Sequence, residues 1–307
     1  MLAEELAMSK PYPGPWILRS MLFVPGHVGR LIAKGAASAA DCVVLDLEDA
    51  VPPAGKVAAR ATIRESLESS LFKSRPVMVR VNAFESGLTQ ADVDAVACEA
   101  LGGFVYAMTR TAGEINRLGA LLAARERALG LAEGHFDLIP LVETPLGVIN
   151  AASIATASER VVALLFGGED YLAGMAAQHD ADQMCFHTPR VQIVMAARAA
   201  GIEPVDTPYV DVHDEVGFRQ HALKGRQLGM AGVLVMSPRQ IPTAHAIYTP
   251  SSAEIEGARQ ALEMLEETRR AGRGLTVREG RYISPVAEKK ARRLLARAAA
   301  ISDLDKE

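Results

Sequence analysis

Residues 138–170 read LIPLVETPLGVINAASIATASERVVALLFGGED, and this stretch decides the fold. Leu138–Glu143 and Val161–Phe166 are short, apolar and partly β-branched, which predicts buried strands. Residues 146–158 between them are rich in alanine and predict a helix. A strand, a crossover helix and a second strand make a βαβ unit with parallel strands. Both strands run into acids at their carboxyl ends, Glu143 and Glu169-Asp170. A carboxylate there must be hydrated, paired or bound to a cation.

The same pattern extends in both directions. Further strands are predicted at Ile17–Val24, Asp41–Leu47, Val77–Asn82, Gly103–Met108, Glu203–Val205 and Val233–Met236. Helices are predicted at 29–39, 54–70, 89–100, 112–130, 188–200 and 212–228, with Pro52-Pro53 ahead of the second and Thr89 as the N-cap of the third. Near-continuous apolar runs mean that the strands are covered on both faces. Eight strands in about 240 residues match an α/β (β/α)8 TIM barrel. A doubly wound open sheet is the competing architecture, but Val24-Pro25-Gly26-His27 after the first strand is not a GxGxxG turn.

Asp46-Leu47-Glu48-Asp49 forms a third acidic end. Acidic ends converging on one barrel mouth would make an oxygen-rich pocket for a hard divalent cation. Not all of these acids can be ligands. Asp49 suits a loop or capping role equally well, and Asp46 could fix a neighbouring strand. Arg80, at the end of its strand beside Asn82, suits either the site or an inter-strand ion pair.

The chain has 307 residues, 49% of them hydrophobic and 23% charged, as expected of a globular protein. The net charge of −4 argues against nucleic acid and anionic membrane as partners. An apolar run of membrane-spanning length is absent from the sequence. The N-terminus, with Glu4 and Glu5 and no apolar core, does not read as a signal peptide. Cys42, Cys98 and Cys185 are odd in number and show no CxxC spacing, which suits the reducing cytoplasm better than disulfides or zinc. Residues 1–16 read as an arm, 17–250 as the barrel, and 251–307 as a helical, strand-free extension or lid. Helices are expected there at 251–271 and 286–301, broken by Gly272, Gly274 and Gly280. Arg269–Arg273 reads as a solvated helix end, with phosphate or coenzyme A binding as the alternative.

Arg19-Ser20-Met21-Leu22-Phe23-Val24-Pro25-Gly26 and Asp46-Leu47-Glu48-Asp49-Ala50-Val51 resemble the opening of citrate lyase beta subunit-like (CitE-like) proteins. These belong with the HpcH/HpaI aldolases and malyl-CoA lyases. The resemblance continues through Val79–Asn82, Leu141–Pro145, Phe166–Asp170, Ala196–Ile202, Asp206–Tyr209 and Leu228–Gly232, in order and over roughly residues 17–250. It implies a TIM barrel of the phosphoenolpyruvate/pyruvate type with a C-terminal lid, and a Mg2+ ion. The implied reaction is carbon–carbon cleavage of a 3-hydroxy acyl-CoA (malyl-, citramalyl- or citryl-like) or related hydroxy acid, through a metal-stabilised enolate. By position, Glu143 and Asp170 match the metal ligands, Arg80 the arginine that meets the oxyanion, and Glu48 a carboxylate near metal-bound water. The resemblance also implies a homo-oligomer, a trimer or hexamer. Two alternatives stay open: a malyl-CoA-type thioesterase, and a non-catalytic member that binds a metal–oxo-acid complex.

Three stretches depart from the family pattern. Ala107-Met108-Thr109-Arg110 stands in place of Pro-Lys-x-Glu at the end of the fourth strand, Ser237-Pro238 in place of His-Pro, and Ser284 where some relatives place an aspartate in the lid. The metal end of the site is retained, while the acyl-carrier and proton-relay end is altered.

Overall fold

The computed structural model describes residues 16–69, 71–72, 76–180, 182–270, 276–278, 281–283 and 285–306. Residues 1–15 of the expected N-terminal arm, with Gly272, Arg273, Gly274, Gly280 and Ser284, lie outside the described residues. Trp16, expected to end the arm, is instead buried in the core and donates its Nε1–H to Asp137 Oδ2 at 2.7 Å.

Eight parallel strands close into a barrel: β1 (Ser20–Pro25), β2 (Cys42–Asp46), β3 (Val77–Val81), β4 (Gly103–Tyr106), β5 (Asp137–Val142), β6 (Ala163–Phe166), β7 (Glu203–Asp206) and β8 (Gly232–Val235). Each pairs with the next, and β8 pairs with β1. β2, β3 and β5 are buried along their whole length, because the barrel interior lies on one face and helices on the other. Met21, Val44, Met78, Val105, Ile139, Leu165, Val205 and Leu234 form the core.

The helices α1 (Gly29–Ala36), α2 (Lys56–Glu68), α3 (Thr89–Val96), α4 (Ala112–Leu129), α5 (Pro145–Ile149), α6 (Ala151–Ala155), α7 (Gly168–Met175), α8 (Met184–Ala200), α9 (Glu215–Leu228) and α10 (Ile241–Tyr248) follow. Local signals set several ends. Thr111 and Glu114 form a reciprocal capping box for α4, which stops at left-handed Gly130. The Thr144 hydroxyl and Pro145 start α5 directly after β5, turning the chain sharply behind Glu143. Asp214 caps α9.

The structure corrects four further expectations. The helix at 146–158 is two short helices meeting at Asn150. Two additional helices appear, α7 directly after β6 and α10 after β8. Thr89 is not an N-cap: it is the first helical residue, and its hydroxyl donates to the Asn82 carbonyl at 2.9 Å. The C-terminal segment, expected to be strand-free, holds an antiparallel pair, β9 (Thr276–Arg278) and β10 (Arg281–Ile283). Local periodicity over three residues is too short to register in the sequence.

The chain divides into two compact units, the first ending at Ala246 and the second spanning Ile247–Glu307. In the second, α11 (Ser252–Arg270) packs with α12 (Pro285–Leu304), and Glu288 pairs with Arg269 and Arg292.

A buried clasp ties the first strands together where the barrel closes. Asp41, just before β2, accepts Arg19 Nε at 2.9 Å, Arg19 Nη2 at 2.7 Å and the Arg19 backbone N–H at 2.8 Å. His245 Nε2 stands 2.9 Å from Ser20 Oγ and 3.3 Å from Asp41 Oδ1. Removing one member of a buried pair leaves the other charge desolvated. Asp41→Ala is therefore expected to cost about 3–5 kcal/mol in urea unfolding. A loss under about 1 kcal/mol would mean that water compensates Arg19.

Candidate functional site

The carboxyl ends of β1, β2, β3, β5 and β8 surround a cavity of about 550 Å³, together with the loops after β6 and β7. Asp46, Asp49, Arg80, Glu143 and Asp170 all line it. The structure therefore brings Arg80, Glu143 and Asp170 together at one mouth. Glu48 does not line the cavity; it reaches it through Arg80, whose Nη1 lies 2.9 Å away.

Arg80 and Asp46 face each other in the β2–β3 register. Arg80 Nε and Nη2 donate to the two oxygens of Asp46, each at 2.7 Å. Both readings of Arg80 thus hold, as an inter-strand ion-pair partner and as a cavity residue. With Glu48 included, three of the five guanidinium N–H donors are engaged, so donors remain for a bound anion. Burial works against the guanidinium, but Asp46, Glu48 and Glu143 more than offset it and hold Arg80 charged. Burial likewise pushes the Asp46 carboxyl up, yet Arg80 holds it below its ordinary range. Asp46 also accepts the N–H groups of Glu48 and Ala50 at 2.8 and 3.0 Å, which folds the acidic loop after β2.

Glu143 is 3% exposed. Its Oε1 accepts the Met108 N–H at 2.6 Å, and Met108 is a non-glycine residue at φ +53. A left-handed backbone at such a residue costs of order 1 kcal/mol. Here it points a donor at the acid, and the donor comes from the stretch that departs from the family pattern. Burial pushes the Glu143 carboxyl up to about 8, with Asp170 and Glu48 adding to the rise. Asp170, in the first turn of α7, lines the same cavity as Glu143; desolvation and Asp49 raise its pKa as well. Glu48 is pushed up to about 7, again mainly by burial and in spite of Arg80. These carboxyls are short of positive charge.

Gly167 makes the approach possible. A Cβ there would stand 2.5 Å from Glu143 Cβ and 2.6 Å from its Oε2. The chain after β6 can thus pass directly over Glu143 and place Asp170 against it.

Sequence reasoning missed Lys56. It is buried at the start of α2, and its Nζ donates to the carbonyls of Leu47 and Glu48 at 2.6 and 2.8 Å and to Asn82 Oδ1 at 2.9 Å. Asn82 Nδ2 donates to Leu47 O at 3.0 Å and Asp92 Oδ2 at 2.6 Å. Lys56 and Asn82 therefore pin the loop that carries Glu48. Arg110, at the altered end of β4, pairs with Glu85 and Glu114. Ser237 caps the 3-10 turn Pro238–Gln240 in a reciprocal box with Gln240. His179 is exposed and pairs with Glu169 at 3.0 Å.

Among the described residues, no three His, Cys, Asp or Glu side chains are grouped for metal binding. Two adjoining acids with raised pKa values suit a hard cation that takes its other ligands from water or substrate oxygens, as Mg2+ commonly does.

Residues 19–238 match the sequence pattern of the family described as HpcH/HpaI aldolase/citrate lyase. The chain is 34% identical to the citrate lyase subunit beta of Escherichia coli (strain K12), over 91% of this chain and 93% of that protein. It is 32% identical to the L-malyl-CoA/beta-methylmalyl-CoA lyase of Cereibacter sphaeroides, over 95% and 98%. A solved structure of the protein CitE from Mycobacterium tuberculosis, in complex with magnesium, acetoacetate and coenzyme A, superposes with a TM-score of 0.73. That chain is 29% identical, over 91% of this chain and 97% of its own. The chain belongs to the HpcH/HpaI aldolase/citrate lyase family.

Proposed function

We propose that this protein is a magnesium-dependent carbon–carbon lyase that cleaves a 3-hydroxy acyl-CoA to an oxo acid and an acyl-CoA. One observation carries the reading: Glu143 and Asp170 meet at the barrel mouth in the same cavity as Arg80. The family membership supports it, as do the magnesium and coenzyme A named with the Mycobacterium tuberculosis structure.

Glu143 and Asp170 would hold the ion. When bound, magnesium supplies Lewis-acid polarisation of the oxo-acid oxygens. Arg80 donates its remaining N–H groups to the oxygen that gains charge as the carbon–carbon bond breaks. Asp46 holds that guanidinium flat and fixed, so little reorganisation is needed in the reaction. Glu48, touching Arg80 and pushed up to about 7, can hold or release a proton near neutral pH. Phe23, Leu31, Val210, Leu234 and Met236 form the apolar side of the cavity. Arg80 is the one cationic side chain among its described lining residues, and Asp46 already engages it. This favours malyl- or citramalyl-type acyl groups over a citryl group, which brings one more carboxylate. The proposal includes a homo-oligomer, trimer or hexamer, with the C-terminal unit as a lid or arm, and the cytoplasm as its compartment. The three cysteines are free, and no described helix is long and apolar enough to cross a membrane.

The test is an assay of malyl-, citramalyl- and citryl-CoA with magnesium, reading released oxo acid and free thiol separately. Oxo acid without thiol is expected, with the citryl ester poorest. Thiol without oxo acid would make the protein a thioesterase, and neither product would leave only binding.

Arg80→Lys is expected to lower kcat on the order of 10²-fold, as for loss of one oxyanion donor, because an ammonium cannot reproduce the planar contact. Magnesium affinity should change little; near-normal kcat would remove Arg80 from the chemistry.

Glu143 sets a pH dependence of stability in the metal-free chain. Its folded-state pKa, about 8, lies above the ordinary carboxylate value, so the folded state holds a proton that the unfolded state has lost. Stability should fall as pH rises from about 4.5 to about 8. Melting curves in chelator at pH 5 and 8.5 should show this fall, with added Mg2+ opposing it at the higher pH. Glu143→Gln should flatten the dependence, and an unchanged slope would contradict the assignment.

A further inference from the structure

Asp206 and Thr207, at the end of β7, have no part in the proposed chemistry, yet both are fully buried, and Thr207 meets the start of the helix that carries Asp170. Thr207 Oγ1 accepts the N–H of Gly168 at 2.7 Å. Gly168 is the first residue of α7, two positions before Asp170. The fit is close, since a Cβ at Gly168 would stand 2.7 Å from Thr207 Oγ1 and 2.8 Å from the Phe186 ring.

Thr207 is itself held on two sides. Its N–H donates to Asp206 Oδ1 at 2.9 Å, and its carbonyl lies 2.9 Å from His221 Nε2. Asp206 Oδ1 also accepts Arg190 Nε at 2.9 Å. Arg190 Nη2 lies 3.1 Å from His221 Nδ1, and Nη1 donates to Gln183 Oε1 at 3.1 Å. Burial holds His221 neutral, down at about 4. The neutral ring with its proton on Nε2 satisfies both neighbours: Nε2–H donates to Thr207 and Nδ1 accepts from Arg190. Asp206 Oδ2 has no hydrogen-bond partner among the described residues.

A buried ion pair of this kind contributes little net stability, because desolvation offsets the attraction. An apolar cluster would support the fold as well, but it could not present a fixed hydroxyl acceptor to the Gly168 N–H. We propose that Arg190, Asp206, Thr207 and His221 are positioning residues for the cation site, holding the first turn of α7 so that Asp170 stays against Glu143. This rests on the reading that those two acids hold the ion.

The test is Thr207→Val, which keeps the shape and removes the acceptor, beside Thr207→Ser, which keeps the acceptor. Mg2+ and Mn2+ binding to the full chain without substrate is measured by calorimetry, with urea unfolding in parallel. The valine variant is expected to bind about 10- to 100-fold more weakly, as is usual when support for a metal ligand is lost, and the serine variant to stay near the parent. Thr207→Ala is expected to follow valine, and it carries the test should the valine variant not fold. An affinity within twofold of the parent, with stability alone reduced, would overturn the proposal. A parent chain that binds neither ion would instead sink the reading of Glu143 and Asp170.

Discussion

The ion pair between Arg80 and Asp46 organises the mouth of this barrel. The two residues are register partners on adjacent strands, and each oxygen of the carboxylate takes one guanidinium donor at 2.7 Å. Buried pairs of this kind add little to stability, but they fix geometry. Asp46 also folds the loop that carries Glu48 and Asp49, and Lys56 and Asn82 pin that loop from the other side. A planar cation is thereby held rigidly at the wall of a cavity otherwise lined by acids and apolar side chains.

Electrostatics follow from this frame. One guanidinium cannot neutralise Asp46, Glu48, Glu143 and Asp170 together. Asp46 takes most of its charge and is lowered, while Glu48, Glu143 and Asp170 are raised. Such a surplus of carboxyls around one buried guanidinium, with Asp46 and Glu143 themselves buried, is poor design for folding alone and good design for a divalent cation. Backbone strain at Met108 and the absence of a side chain at Gly167 both serve the placement of Glu143 and Asp170.

Much of the barrel was legible in the sequence, because strands buried on both faces leave apolar runs separated by alanine-rich helical stretches. All eight strands lie within about three residues of their expected bounds. The acids at three strand ends were legible for the same reason: a charge at the end of an apolar run stands out. What escaped reading depends on distant partners. Lys56 sits in an ordinary helical stretch, and only the folded chain shows its Nζ reaching back to the loop after β2. Thr89 has the right residue type for a cap, but a tertiary hydrogen bond to Asn82 claims its hydroxyl. Arg190 and His221 stand 31 residues apart on different helices and meet Asp206 only because α8 packs on β7 and α9 packs against α8. The β9–β10 pair is too short for any periodicity to register.

The altered stretch after β4 meets Glu143 through its backbone rather than through a side chain. Residues 107–110 lack the family's lysine and glutamate, yet the Met108 N–H anchors Glu143. The central claim is that Glu143 and Asp170 share one divalent cation beside Arg80. The most direct measurement is anomalous diffraction from crystals soaked with Mn2+. The account predicts one strong peak at bonding distance from a carboxylate oxygen of each acid, in the cavity that Arg80 lines. A peak ligated by other residues, or none at that position in fully soaked crystals, would contradict it.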